Sequence, residues 1–324
     1  MPNTVFDNYF LANEIEDQYN SMLDLNPFCI QNNDLAGIDG MKWKVNIYSG
    51  SGTAEKLTQG QGNSNDLSVS YVSKEYDIAL AQSRFPYYDE EMMKDSFAIN
   101  AGARYQATDL FNVVNADIYA AFKETTQVMG GAAGFDIFAD ALAMLNVEAI
   151  DAGAPGTFAF LNAADMASIR KALSSDLKYV EAFARQGYVG TVAGVNLYVK
   201  KDATSGIITL ADRTAVTVFN KPGIEAESER DANTRKNTLY ARKYYLAALT
   251  DRTKAVKIGL GTFEQKTGTG DGSTVNVTLS HAPKNILSVL VDGEPTTAYS
   301  VSSTTFTFTT APASGKDYEI NYVY

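Results

Sequence analysis

Residues 88–127 read YDEEMMKDSFAINAGARYQATDLFNVVNADIYAAFKETTQ. The stretch holds no proline and a single glycine, Gly102. Asp89, Glu90 and Glu91 stand at its start, where a helix N-terminus favours negative charge. Ala103, Ala107, Phe111, Val114, Ile118 and Phe122 recur at steps of three and four, the spacing of one helical face. The pattern predicts one helix, and forty residues at 1.5 Å each would make it roughly 60 Å long. A helix of that length in a chain of 324 residues is either kinked or a spine. Gly130, Gly131 and Gly134 mark its end.

The segments around it follow a definite order. Residues 1–35 alternate polar and apolar without a firm period and read as an arm. Within it 13–25 could form a short helix carrying Ile15, Tyr19, Met22 and Leu23, ended by Pro27. Residues 41–48 alternate as a strand and 67–85 as its return. Between them 49–66 holds Gly50, Gly52, Gly60 and Gly62 among Ser, Thr, Asn and Gln. Such a stretch has too little apolar surface to offset the entropy of ordering it, so 43–84 reads as a hairpin with a mobile tip.

After the helix come a second helix at 135–146, a buried strand at 157–161 and a helix at 163–173 opened by Asn162. A glycine-punctuated strand pair occupies 187–199. Further strands are expected at 207–210, 215–219, 224–230 and 238–249. Residues 262–273, with Gly268, Gly270 and Gly272, read as a linker or loop. Short alternating strands at 275–279, 286–291, 299–302, 305–309 and 318–323 then suggest a small β-sandwich or barrel.

Composition sets outer bounds. The apolar fraction is 45% and the charged fraction 20%, ordinary for a globular protein. No run of about 18 apolar residues occurs, so no membrane span is expected. The first residues have no basic segment followed by an apolar one, so no signal peptide is read there. A net charge of −11 argues against a protein that neutralises nucleic-acid phosphates. It suits solubility, the favoured reading, and does not exclude a container wall that should not adhere to DNA.

Catalytic and metal chemistry find little footing. Cys29 and His281 are single, which excludes an intrachain disulfide and a Cys/His zinc site. His281, beside Pro283, reads as a turn residue and Cys29 as a small, partly buried one. Gly50-Ser-Gly52 and Gly60-Gln-Gly62 lack the Gly-Lys-Ser/Thr of a phosphate loop. Gly270-Asp271-Gly272 lacks the carboxylate spacing of a calcium loop. Glu225, Glu227 and Glu229 alternate with Asp231 and would share one strand face. They form a cation site, a solvated face, or a face for arginines such as Arg235 or Arg242 of a neighbour, the last two readings being favoured. No enzyme activity and no cofactor is expected.

The order arm, hairpin, long helix, α/β stretch, strands resembles the major capsid protein of tailed bacteriophages, the Hong Kong 97 fold, over residues 1–258. The long helix resembles that family's spine helix. Residues 43–84 resemble its extended loop, which lies over a neighbouring subunit. Residues 187–199 resemble a strand pair of its axial domain. Residues 224–258 resemble the last strands of its peripheral domain, with Arg242 mid-strand and 251–256 closing. Residues 262–324 resemble small outward-facing β-modules appended to phage structural proteins.

The resemblance implies an α+β chain: an arm (1–35), an extended hairpin (36–87), a peripheral domain (88–128 with 211–258), an axial domain (129–210) and an Ig-like β-sandwich module (262–324). It implies hexamers and pentamers of an icosahedral shell around double-stranded DNA bound without sequence specificity, assembled in the bacterial cytoplasm. Because Met1 leads directly into the arm, a separate scaffolding protein is implied, and a portal with it. Expected assembly contacts are Phe6, Tyr9, Phe10 and Leu11 on the arm, Lys56 and Leu57 on the hairpin, and Glu225, Glu227, Glu229, Arg235 and Arg242. Some relatives crosslink through a loop lysine; nothing identifies an acceptor for Lys56. The alternative is a tail, baseplate or adhesin protein whose β-module binds a host-surface glycan. The long helix and α/β middle weigh against it.

Overall fold

A computed structural model describes residues 23–37, 40–51, 54–63, 65–94, 96–145, 156–174, 190–221 and 225–324. Along the chain lie β1 (Ile30–Asn32), β2 (Lys42–Ser51), β3 (Ser68–Asp77), β4 (Ala79–Tyr88), α1 (Asp89–Lys94), α2 (Ser96–Lys123), β5 (Val128–Gly131) and α3 (Asp136–Met144). There follow β6 (Thr157–Leu161), α4 (Ala163–Ala172), β7 (Thr191–Val192), β8 (Val195–Val199), β9 (Ile207–Asp212), β10 (Val216–Asn220), β11 (Glu225–Asp231), β12 (Lys236–Leu249) and β13 (Ala255–Leu260). The last stretch holds β14 (Phe263–Thr269), β15 (Asn276–Thr278), β16 (Asn285–Val291), β17 (Glu294–Pro295), β18 (Tyr299–Ser302), β19 (Thr305–Phe308) and β20 (Asp317–Val323). The chain divides into two compact units, one built mainly from 31–114 and 218–250, the other from 115–217 and 251–324.

In the first unit, a sheet runs β1-β10-β12-β11, with β4 also pairing with β12. Its core gathers Leu35, Ile78, Phe219, Leu246 and Ala248. The antiparallel ribbon β2–β3 is a sheet of its own, and its base is held where Trp43 and Tyr76 pair and pack on that core. The return strand expected at 67–85 is two strands, broken where Ile78 turns inward and its N–H donates to Met41 O at 2.7 Å. The ribbon also climbs further than expected, pairing out to Ser51 with Ser68.

The predicted helix 88–127 is shorter. Tyr88 belongs to β4, paired with Lys236, and helix occupies 89–94 and 96–123. Its buried row also differs from the expected one. Ala107 is exposed, and Gly102, Gln106, Leu110, Val114, Ile118 and Phe122 are buried, a strict step of four. In the first unit the row is shaped by two non-aliphatic residues. A Cβ on Gly102 would stand 2.3 Å from the Phe85 ring, so only glycine admits that ring. Gln106 Nε2 donates to Leu239 O at 2.9 Å and Ser83 O at 3.3 Å, and so is paired despite its burial.

In the second unit, a six-stranded sheet runs β5-β13-β9-β6-β8-β7. One face packs α3 and α4 through Ile137, Phe138, Ala141, Met166 and Ile169 on Ala159, Leu161, Ile208, Leu210, Val256 and Ile258. The Asn162 side chain caps α4 as expected, accepting from Ala164 N at 3.0 Å. Strand β6 is buried throughout, as its apolar run predicts. Ala193 (φ 48°) and Gly194 (φ 82°) make the tight β7–β8 turn. On the other face Phe122 meets Phe158 and Phe160 edge-on at 5.5 and 5.8 Å, and Phe28 meets both rings and Tyr198. Asn115, fully buried, accepts from Leu25 N and donates to Leu23 O, each at 3.1 Å, pinning that segment to the helix.

The closing strand expected at 251–256 begins later. Asp251 caps a 3₁₀ turn over Arg252–Lys254, and the strand is β13. The stretch 262–273 is not wholly a linker, because 263–269 forms β14, paired along its length with β20. The C-terminal module is a sandwich: sheet β14-β20-β16-β17 and sheet β15-β19-β18 share a core of Val277, Leu279, Val289, Phe306, Phe308, Ile320 and Tyr322.

This sandwich is packed directly on the six-stranded sheet. Gly259 and Gly130 are paired across β13 and β5. A Cβ on Gly259 would lie 2.6 Å from Val323 Cγ1, and one on Gly130 2.8 Å from both Val323 Cγ1 and Phe263 Cβ. Two glycines thus make a flat patch into which the module's side chains fit. Beside it the buried Lys257 donates to Leu287 O at 2.6 Å. Burial, with Lys123 nearby, pushes Lys257 down from 10.5 to about 8.

Over the window from about 8 to 10.5 the unfolded chain holds this proton and the folded chain does not, so stability should rise with pH there. Folding is penalised below that window, by up to on the order of 3 kcal/mol. Urea unfolding at stepped pH should show the rise in the native chain and a flattened profile in Lys257→Met. Tyr119, whose hydroxyl is pushed up chiefly by burial, opposes the rise at its upper end, so the variant is the necessary reference. Parallel profiles for the two proteins would exclude the lysine as the cause.

Candidate assembly surface

Strand β11 lies at the edge of the first unit's sheet, and all seven of its residues are exposed. Its register with β12 places Glu225 opposite Arg242, Glu227 opposite Tyr240 and Glu229 opposite Thr238, so the three carboxylates do share a face. Glu227 pairs with Arg242, and Tyr240 OH donates to Glu229 at 3.0 Å. Arg242 is thus engaged by an acid of its own chain. Arg235, held at φ 53° in the β11–β12 turn, sits apart from these acids and pairs with Glu90 at 2.9 Å.

That turn is tied to the start of α1. Asp89 binds Arg230 at 2.8 Å and accepts from Asn237 Nδ2 at 2.6 Å, while its N–H donates to Arg235 O. Thr234 and Asn233 hydrogen bonds hold the Asp231 carboxyl low. Sequence reading placed Asp89 only as a helix-start charge. The available signal was the acidic Asp-Glu-Glu run, complementary in charge to Arg230 near the end of β11 and Arg235 in the turn. These pairs are exposed and each contributes little, about 0–1 kcal/mol; their value is in fixing the turn's position.

Lys56 and Leu57 are exposed on the stretch joining β2 to β3, near Thr58, whose hydroxyl donates to Gln61 Oε1 at 2.8 Å. Leu67 and Val69, 70% and 60% exposed, add apolar surface on the same ribbon. Phe6, Tyr9, Phe10 and Leu11 lie outside the described residues.

The remaining candidates in the sequence resolve into structural roles. His281 stacks on Tyr324 with ring centroids 3.9 Å apart, and its Nδ1 lies 2.8 Å from Glu264 Oε2. Hydrogen bonds from Ser280 and His281 hold the Glu264 carboxyl down to about 2. Asp271 accepts from Ser273 N, Thr274 N and the Thr274 hydroxyl, a turn in which the carboxylate is already occupied. Among the described residues no group of three His, Cys, Asp or Glu side chains is placed to hold a metal. No helix among them is long and apolar enough to cross a membrane. A cleft of about 340 Å³ in the second unit is lined by Gly131, Asp165, Ser168, Ser205, Gly206 and Lys284. Its carboxylate, Asp165, accepts the Gly206 N–H at 2.9 and 3.0 Å.

No family model matches the chain, and no curated protein does. Solved structures do. A chain of Mycobacterium phage Che8 superposes with a TM-score of 0.56 at 18% identity, over 80% of this chain and 96% of that one. The capsid of a native GTA particle gives 0.56 at 13% identity, over 75% and 94%. The mature capsid of bacteriophage PhiM1 gives 0.54 at 11% identity, over 80% and 91%. At such identities the likeness is one of fold: the chain carries the α+β fold of phage capsid subunits.

Proposed function

We propose that this chain is the major capsid protein of a tailed bacteriophage, forming hexamers and pentamers of an icosahedral shell around double-stranded DNA. The observation that carries the reading is the β2–β3 ribbon, set on a capsid fold. A two-stranded ribbon is marginal by itself. Its base packs on a core through Trp43 and Tyr76, and Leu57, Leu67 and Val69 stand exposed toward its tip. Such a ribbon is completed by a neighbouring copy, with the arm and the β11 face adding area. Heterologous contacts of this kind close into rings where the rotation closes, and many weak contacts sum in a closed lattice. The net charge of −11 suits a wall that holds DNA without adhering to it. The reading includes a separate scaffolding protein and a portal, a location in the virion, and a β-module on the outer surface.

The test is electron microscopy of the chain expressed alone and with its candidate scaffolding protein. Closed shells or regular capsomers are expected. Monomers under both conditions would overturn the reading.

A further inference from the structure

Tyr119 of α2 is buried beside three lysines of the second unit. Lys123 Nζ, at the end of α2, stands 4.8 Å from the centre of its ring, and Lys200 Nζ, from the residue after β8, 5.1 Å. Lys257 on β13 is close enough to Lys123 for the two charges to repel. In register it lies directly opposite Thr209 of β9. Thr209 is fully buried. Its hydroxyl is near enough to that of Tyr119 to act on it, yet forms no hydrogen bond of good geometry.

Lys200 and Lys257 are only 4% and 9% exposed, and a buried cation is costly unless it is paired. Lys200 has the largely exposed Asp202 at 3.4 Å. Among the described residues neither Lys123 nor Lys257 has a carboxylate within ion-pair distance. Asp165, whose charge also acts on Tyr119, is engaged by the Gly206 N–H. Each ammonium carries three donors. Lys257 gives one to Leu287 O and Lys200 one to Asp202, so donors remain on each.

We infer that a small oxyanion with the chemistry of phosphate binds here, between the ammonium groups of Lys123, Lys200 and Lys257 and the hydroxyls of Tyr119 and Thr209. Charge-assisted hydrogen bonds to phosphate oxygens are the strong kind, and one such ion supplies the negative charge that the two buried lysines lack. Of the three lysines only Lys123 is exposed, which keeps a duplex out, so the ligand is the free ion and not a DNA phosphate. Bound, it joins the end of α2, the turn after β8 and strand β13 beneath the sandwich. It also returns to Lys257 the proton that burial and Lys123 tend to remove, because an opposite charge favours the charged form. Nothing in this site depends on the capsid reading.

The test is equilibrium dialysis of the full chain against labelled inorganic phosphate at neutral pH, with chloride holding the ionic strength constant, beside urea unfolding in the same buffers. A single phosphate should bind each chain, and the unfolding constant should fall about a hundredfold at phosphate one hundred times its Kd. Phosphate also stabilises proteins generally by being excluded from their surfaces; that effect does not saturate and is the same in every variant. Lys123→Gln, at an exposed position, and Thr209→Val, which keeps the shape and removes a hydroxyl, should each weaken binding about tenfold, the loss of one good polar contact. Lys123→Arg, which keeps the charge, should bind nearly as the native chain does. A short DNA duplex should not displace the phosphate. Three outcomes overturn the inference: no binding, binding unchanged in Lys123→Gln or in Thr209→Val, or displacement by the duplex, which would put the ion on the surface. Micrographs report separately on assembly, so a failure here leaves the capsid reading standing.

Discussion

Gly259→Val should destabilise the second unit by about 3 kcal/mol, the upper end of what overpacking a filled core costs. A Cβ at this position would already stand 2.6 and 2.9 Å from the Val323 methyls and 2.9 Å from Leu287 Cδ2. Strand β13 cannot retreat, because β5 and β9 are hydrogen-bonded on its two sides. The module must therefore lift, and lifting it strips the cover from Lys257 and Gly130. Gly62→Val is the matched control, since nothing lies within 4 Å of a Cβ there; it should leave the urea midpoint unchanged. Val323→Ala, mildly destabilising alone, should recover part of the loss in the double variant, a coupling of about 0.5–3 kcal/mol. Equal midpoints for Gly259→Val and Gly62→Val would show that the module does not press on the sheet.

Phe122→Ala should cost about 4 kcal/mol, within the range for deleting a buried aromatic ring. Phe122 is fully buried, and its ring stands edge-on to Phe158 and Phe160. Those two rings also touch each other and Phe28. The rings are fixed to different elements, α2, β6 and the segment before β1, so no single side chain can swing to refill the void. Phe122→Leu should lose noticeably less, because it keeps most of the apolar volume. Denaturant unfolding followed by tryptophan-independent circular dichroism would report both. A loss below about 1 kcal/mol for the alanine variant is what a surface substitution gives, and would remove this ring from the core.

Where the sequence reading succeeded, it did so on elements whose pattern is local. Strand β6 is an unbroken apolar run, and Asn162 sits one residue before α4. The β18 span is the one expected because alternation and turn residues agree there. It failed where partners far along the chain decide. The buried row of α2 contains Gly102 and Gln106, which no hydrophobic periodicity counts as core. Their burial follows from the Phe85 ring and from two strand carbonyls. Strand β14 was hidden because its residues alternate between exposed and half-buried and Gly268 looks like a loop residue, whereas that glycine makes room for the Tyr318 hydroxyl. At the assembly surface, the alternation of Glu225, Glu227 and Glu229 was legible, because a strand enforces it. That Arg235 turns to Glu90 was not, since a positive φ in a four-residue turn aims it elsewhere.

The interleaving of segments bears on the order in which the chain can fold. Strand β12 pairs with β4 through residues such as Asn237 and Tyr87, far apart along the chain, and β5 waits for β13. Neither unit can close its main sheet while the ribosome is still making residues 115–217. During that interval β4 and the first half of α2 have each other, through Phe85 on Gly102, but not their partner strand β12. The sandwich alone is contiguous in sequence, yet it emerges last and seats on a sheet that has only just been completed. Folding is therefore a late, concerted event in synthesis. A pause or truncation before about residue 260 should yield aggregate rather than a partly folded subunit.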